Sequence, residues 1–98
     1  MLPIDWKASA VADLFDILEA IGEHDQDAAA RLLEGIGHDL EHAAEHPFLF
    51  KPSQRVFGMR EIVTHPNYVV LYRVTGRCIE VVNIVHARRE FPGGARPE

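Results

Sequence analysis

The stretch GMREIVTHPNYVVLYRVTGRCIEVVNIVHARREFP, residues 58–92, decides the fold of this chain. It contains three runs rich in β-branched and aromatic residues, which are typical of strands. His65-Pro66-Asn67 separates the first two runs, and Thr75-Gly76-Arg77 separates the last two. Both separators suit tight turns. The pattern therefore predicts a β-meander whose strands cover Arg55–Thr64, Tyr68–Thr75 and Cys78–His86.

The N-terminal half carries two helical patterns. From Ser9, apolar residues recur every three or four positions with acidic residues between them, which predicts an amphipathic helix of about four turns. We expect Gly22 to end this helix in a left-handed conformation. The second helix is predicted to begin after Asp25, a good N-cap, and to stop at Pro47. The short connection makes the two helices antiparallel neighbours.

The remaining element is Leu2–Trp6, a short strand candidate. It contains Pro3, which has no N–H to donate, so we expect it at an edge of the sheet. The order β-α-α-β-β-β predicts an α+β fold, with an α-helical hairpin packed on one face of an antiparallel sheet. Residues 1–92 are expected to form a single domain, and residues 93–98 a flexible tail.

Bulk composition narrows the class of protein. With 47% hydrophobic and 26% charged residues, the 98-residue chain has the composition of a folded domain. One cysteine, Cys78, cannot form an internal disulfide, and no apolar run approaches the roughly 20 residues of a membrane span. No signal peptide is evident at the N-terminus. These features predict a cytoplasmic protein without membrane contact.

Charge is distributed unevenly along the chain. Residues 1–50 contain eleven acidic and two basic side chains, whereas residues 51–98 contain four acidic and eight basic ones. A general nucleic-acid binder would be basic overall, because phosphate contacts dominate its affinity. The net charge of −5 instead predicts a local cationic patch on the sheet, an acidic helical back and no sequence-specific nucleic-acid binding by the chain alone.

The meander holds the residues most suited to binding a partner. Period-two alternation puts Glu80, Val82, Ile84 and His86 on one face of the last strand. Arg60, His86, Arg88 and Arg89, followed by Phe91, are expected near one end of the sheet, where cations beside an aromatic suit a polyanion or an acidic protein segment. The predicted contact residues are Arg60, Arg73, His86, Arg88, Arg89 and Phe91.

Other residues suggest chemistry less strongly. His38, His42 and His46 have the spacing of helical metal ligands, but they lie opposite the leucine stripe and are expected to form a solvated polar face. Cys78 follows a cation that could activate its thiol, yet a small apolar strand residue is the commoner case. We therefore expect neither a metal nor a cofactor.

The chain resembles the RelE/ParE toxins of bacterial toxin–antitoxin pairs. The resemblance rests on an ordered set of phrases that runs from Asp5-Trp6 through Asp13-Leu14 to NYVVLYRV and HARREFP, and these sit closest to the ParE branch. It implies a toxin that a cognate antitoxin neutralises by wrapping the helical hairpin and the sheet. It also implies growth arrest as the cellular effect.

The resemblance leaves two mechanisms open. ParE-like toxins poison DNA gyrase without a known active site of their own, whereas RelE-like toxins cleave mRNA in the ribosome. Departures from the ribonuclease pattern, namely acidic overall charge, scarce lysine and Phe91 in place of a terminal tyrosine, favour a non-catalytic gyrase inhibitor. If the chain were a ribonuclease, its site would be His86, Arg60 and Arg88. A dimeric binding module without toxicity is a weaker third possibility.

Overall fold

A computed structural model describes residues 1–88 of the chain. It contains two helices and four strands, which are β1 (Ile4–Trp6), α1 (Ala8–Gly22), α2 (Gln26–Glu45), β2 (Arg60–His65), β3 (Tyr68–Val74) and β4 (Ile79–His86). The strands form one sheet in the order β1-β4-β3-β2. The predicted α+β class and the element order are confirmed. No helix within residues 1–88 is both long and apolar enough to cross a membrane.

The sheet is mixed, which refines the prediction of an antiparallel one. The meander β2-β3-β4 is antiparallel, but β1 pairs in parallel with β4, with Ile4 opposite Ile79 and Trp6 opposite Val81. The parallel direction follows from the connection: α1 and α2 form a hairpin that returns the chain before the meander begins. The amide of Lys7 donates to the Val81 carbonyl at 2.9 Å and extends this pairing by one step.

The helices and one face of the sheet enclose the core. The buried stripe of α2 consists of Leu32, Ile36, Leu40, Ala43 and Ala44, and it packs against buried residues of the meander. Asp25 caps α2, because its carboxylate accepts a hydrogen bond from the Ala28 amide at 3.0 Å. The predicted left-handed cap at Gly22 is wrong, since Gly22 is still helical and right-handed Glu23 follows it.

Two strand predictions need correction. The strand predicted over Arg55–Thr64 begins only at Arg60, because residues 51–53 fold back and pair with residues 59–61. The predicted face of β4 is also wrong at its first half. A bulge between the pairs Leu71–Asn83 and Tyr72–Val81 inserts Val82, so Val81 rather than Val82 shares the core face with Ile84.

The strand β3 lies at the centre of the meander, as the run YVVLYRV predicts. Its residues Val69 through Tyr72 are all buried. Val70 and Tyr72 belong to the helix-side core, whereas Val69 and Leu71 are buried outside that cluster, on the opposite face. The strand is therefore covered on both faces.

The carboxylate of Asp13 completes the edge of β4 beyond the end of β1. One of its oxygens, Oδ2, accepts hydrogen bonds from the Ile84 amide and from the side-chain amide of Asn83, both at 2.9 Å. The short strand β1 pairs only with residues 79–81 of β4, so this carboxylate takes the place of a neighbouring strand. The contact fixes α1 along the sheet edge.

Hydrogen exchange should find β3 to be the most protected element. The amides of Val69–Leu71 lie between two hydrogen-bonded strands and under two covered faces, so they should exchange only through near-global unfolding. We expect them to exchange far more slowly than the amides of Gln54–Phe57, which lie in the connection before β2. Equal rates in the two segments would contradict this topology.

Replacing Asp13 should destabilise the fold although the residue lies near the surface. Asp13→Ala leaves the Ile84 amide and the Asn83 side chain without their acceptor, which should lower the free energy of unfolding by about 1–3 kcal/mol. Asp16→Ala, on the same helix and exposed, is the matched control and should change it by less than about 0.5 kcal/mol. Urea unfolding of both variants measures the difference, and equal stability would contradict the edge-capping role.

Candidate target-binding surface

Arg60, the first residue of β2, fastens the connection that follows α2. Its Nη1 donates to the Phe50 carbonyl at 2.7 Å, and its guanidinium carbon lies 4.8 Å from the centre of the Phe48 ring. Arg60 is half-buried. A hydrogen bond to a backbone carbonyl together with a cation–π contact gives it a structural role.

Tyr72 shares this end of the sheet and pairs directly with Arg60. It is fully buried, its hydroxyl donates to the Pro47 carbonyl at 3.0 Å, and its ring meets Phe50 edge-on at 6.3 Å between centroids. Burial raises the pKa of Tyr72 above its usual value, so the hydroxyl remains a neutral donor. Arg60 and Tyr72 together secure residues 47–50 over the rim of the core.

Arg73 lies on the opposite face of the sheet, in an exposed ion-pair network. Its Nε donates to Glu80, and Lys7 bridges Glu80 at 3.3 Å and Asp5 at 3.0 Å. The hydrogen bond from Arg73 lowers the pKa of Glu80, and the hydrogen bond to Asp5 raises the pKa of Lys7. Cys78 adds a third potential ligand atom near the two carboxylates, but Lys7 and Arg73 already neutralise them and would oppose a metal ion.

His86 lies at the other end of the sheet, in an aromatic cluster. The Tyr68 ring meets His86 edge-on at 5.5 Å and tilts against His65 at 5.4 Å. Each histidine accepts a backbone hydrogen bond at Nδ1, His65 from Asn67 at 2.9 Å and His86 from Arg88 at 3.2 Å. With Nδ1 as acceptor, the neutral ring of His86 carries its proton on Nε2.

A groove of about 240 Å³ adjoins this cluster, between α1 and the end of the sheet. Its lining combines two carboxylates, two aromatic rings and a small apolar floor: Asp13, Asp16, Ile17, Ala20, Tyr68, Ile84 and His86. Asp13 and Asp16 are two of the acidic residues between the apolar positions of α1, and the sequence pattern does not predict the groove. Their spacing of three along a helix places them on one side, but only the tertiary fold brings that side to His86.

The predicted cationic end of the sheet is not assembled as expected. Arg60 pairs with Tyr72 and His86 pairs with Tyr68, so about 13 Å of β3 separates them. Arg73 lies near Arg60 in the ladder but on the other face. Of the predicted contact residues within residues 1–88, only Arg88 lies beside His86, and it is exposed. Arg89 and Phe91 lie outside the described residues.

A hydrogen-bonded cluster centred on Arg55 crosses the outer face of the sheet, and no local sequence pattern predicts it. Its Nη1 contacts both carboxylate oxygens of Glu61 at 2.8 and 2.9 Å, and its Nη2 donates to the Ala87 carbonyl at 2.6 Å. Ser53 donates to the same carboxylate at 2.6 Å. Because Glu61 belongs to β2 and Ala87 follows β4, the guanidinium lies over β3 between them.

The three helical histidines lie on an exposed face of α2 and at its end, as the sequence predicts. His38, His42 and His46 are all exposed, and the first two rings lie 4.6 Å apart. No strand or loop residue within the described part of the chain joins them as a further metal ligand.

Arg60 should matter to stability more than Arg73 does. Arg60→Gln removes the cation–π contact and the charge-assisted bond to Phe50, so it should lower the free energy of unfolding by about 1–3 kcal/mol. Arg73→Gln breaks an exposed ion pair and should cost less than about 1 kcal/mol. Chemical denaturation distinguishes the two. If both variants are equally stable, the structural role of Arg60 is wrong.

The sequence of this chain matches a known protein family. The model of the ParE toxin of type II toxin–antitoxin systems (parDE) matches residues 4–91. The protein Y4kP of Sinorhizobium fredii is 33% identical over 90 residues, which cover 91% of this chain and 92% of the relative. Toxin RelE2 of Caulobacter vibrioides is 32% identical over 89 residues, covering 91% and 99% respectively.

Solved structures share the fold. A chain of the chromosomal ParDE system from P. aeruginosa superposes with a TM-score of 0.73 at 21% identity, over 88% of this chain and 96% of its own. A YoeB/ParE toxin from Agrobacterium tumefaciens gives a TM-score of 0.60 at 20% identity, over 87% and 98%. With the family match along nearly the whole sequence, the protein belongs to the ParE toxin family within the RelE/ParE superfamily, as a toxin of a type II toxin–antitoxin system.

Proposed function

We propose that this toxin arrests growth by binding DNA gyrase without catalysis, and that a cognate antitoxin neutralises it by binding the toxin. Membership of a toxin–antitoxin family implies the antitoxin partner. The observation that carries the non-catalytic assignment is the separation of Arg60 from His86, which lie at opposite ends of β3, so that of the three predicted ribonuclease residues only Arg88 lies beside His86.

Phosphodiester cleavage requires a base, an acid and a cation that converge on one phosphate. Arg60 is committed to the Phe50 carbonyl and the Phe48 ring, on the helix side of the sheet. Glu61 is on the other side and is bound by Arg55 and Ser53. Neither can approach a phosphate held at His86 without leaving its partners, which supports a function without catalysis.

The electrostatics around His86 also disfavour an RNA site. The groove beside it contains the carboxylates of Asp13 and Asp16, which repel a phosphate. The whole chain has a formal charge of −5, so it gains no general attraction to ribosomal RNA. Both features suit a toxin that recognises a protein surface.

The relatives support the two mechanisms unequally. The family match is to ParE toxins of parDE systems and spans residues 4–91, which supports the gyrase assignment. The relative named Toxin RelE2 keeps the ribosome-dependent ribonuclease as the alternative. The experiment that separates them is a direct comparison of gyrase supercoiling and cell-free translation in the presence of the purified chain.

We expect the chain to inhibit supercoiling by purified gyrase and to leave cell-free translation unchanged. His86→Gln should then remain fully toxic, because binding moves no proton. A ribonuclease that used His86 as acid or base would lose about 10²–10⁴ in rate with the same substitution. Circular dichroism and antitoxin binding provide the folding control. Translation arrest that disappears in a folded His86→Gln variant would reject the gyrase mechanism.

A further inference from the structure

A short hairpin projects from the connection between α2 and β2. Its arms pair through the Ser53 amide and the Met59 carbonyl at 2.8 Å, and through the Glu61 amide and the Lys51 carbonyl at 3.0 Å. At its tip, the Met59 amide donates to the Val56 carbonyl at 3.2 Å and closes a turn around Phe57 and Gly58. We call residues 51–61 the Arg55 hairpin.

The turn at the tip displays an aromatic ring to solvent. Gly58 has a φ of +85°, the conformation that a type II turn requires at its second central position. Phe57 takes the first central position with a relative exposure of 103%, the highest among the large apolar residues of the described part of the chain. A ring that contacts so little of its own chain contributes almost nothing to folding.

The backbone that presents Phe57 is held in place. Arg55, two residues before it, is bonded to Glu61 of β2 and to the Ala87 carbonyl after β4. The Ser53 hydroxyl accepts hydrogen bonds from the amides of Arg55 and Val56, at 2.9 and 3.1 Å, and so holds the backbone just before Phe57. Scattered apolar residues are normal on a protein surface. Phe57 differs because a fixed loop projects it, which reduces the entropy lost when a partner binds it.

We propose that Phe57 is the aromatic anchor by which this toxin inserts into an apolar pocket on its protein target. The surrounding charge indicates the kind of pocket. Within the hairpin, Arg55 pairs with Glu61, so the exposed Lys51 and the half-buried Arg60 leave a net positive charge. A complementary surface therefore has an acidic rim around an apolar centre. This inference rests on the proposed function, in which the toxin acts by binding a protein.

A symmetric contact between the hairpins of two copies of this chain does not suit these features. Two hairpins meeting tip to tip would bring like charges together, and one aromatic ring buries only about 150–250 Å². A stable interface needs about 1,200 Å² or more. A projecting ring requires a concave site on a folded partner, and large buried aromatic residues are the commonest anchors of such interfaces.

The test compares Phe57→Ala with Phe15→Ala, which truncates another exposed phenylalanine on α1, and with Phe57→Trp, which restores an aromatic ring. Growth arrest on induction is the first readout, because it does not depend on which target is correct. Inhibition of purified gyrase is the second. Thermal melting and binding of the antitoxin encoded beside the toxin are measured on each variant.

We expect Phe57→Ala to melt like the wild type and to bind the antitoxin, while its growth arrest and gyrase inhibition require at least about tenfold more protein. Phe15→Ala should match the wild type, and Phe57→Trp should recover most of the activity. Full toxicity of a folded Phe57→Ala variant overturns the proposal.

Two other results would also overturn it. A lowered melting temperature for Phe57→Ala means that the ring packs within the chain, and loss of antitoxin binding alone assigns the hairpin to the antitoxin. If wild-type protein arrests growth but leaves gyrase active, the gyrase assignment fails, and the growth comparison still decides the role of Phe57.

Discussion

The apolar character of β3 on both faces is the constraint on which the rest of the structure depends. Val70 and Tyr72 require cover from the helices, while Val69 and Leu71 require it from the other side. Within residues 1–88, the two helices form a single layer on one face of the sheet. On the outer face, Arg55 links Glu61 of β2 to the Ala87 carbonyl after β4 and so crosses the strand that lies between them.

Three arginines in and beside the meander serve the framework. Arg55 holds the outer cover, Arg60 holds the connection after α2, and Arg73 neutralises Glu80. A cation that stabilises a phosphorane must be free to approach the phosphate. Three arginines already engaged with protein acceptors favour a surface that works by shape and apolar contact rather than by phosphate chemistry.

Local patterns in the sequence were sufficient for the helices, the order of elements and the central position of β3. They failed where the structure depends on residues far apart. The parallel direction of β1 joins residues 4–6 to residues 79–81, and the bulge at Val82 appears only when β4 is matched against β3. The sequence pattern predicts Arg55 at the start of a strand. Its partners, Glu61 and the Ala87 carbonyl, come close to it only in the folded chain.

The candidate site was harder to predict because charge along the sequence does not say which face or end a side chain occupies. The sequence pattern predicts Arg60 and His86 near one end of one sheet. Antiparallel pairing instead sends them to opposite ends of β3. The acidic half of the chain then reaches His86 through Asp13, whose bond to the Ile84 amide fixes α1 against the end of β4. The Asp13 carboxylate thus closes the sheet edge and also makes the surroundings of His86 acidic. Because the fold requires this carboxylate and a negative charge repels RNA, we expect the target to be a protein.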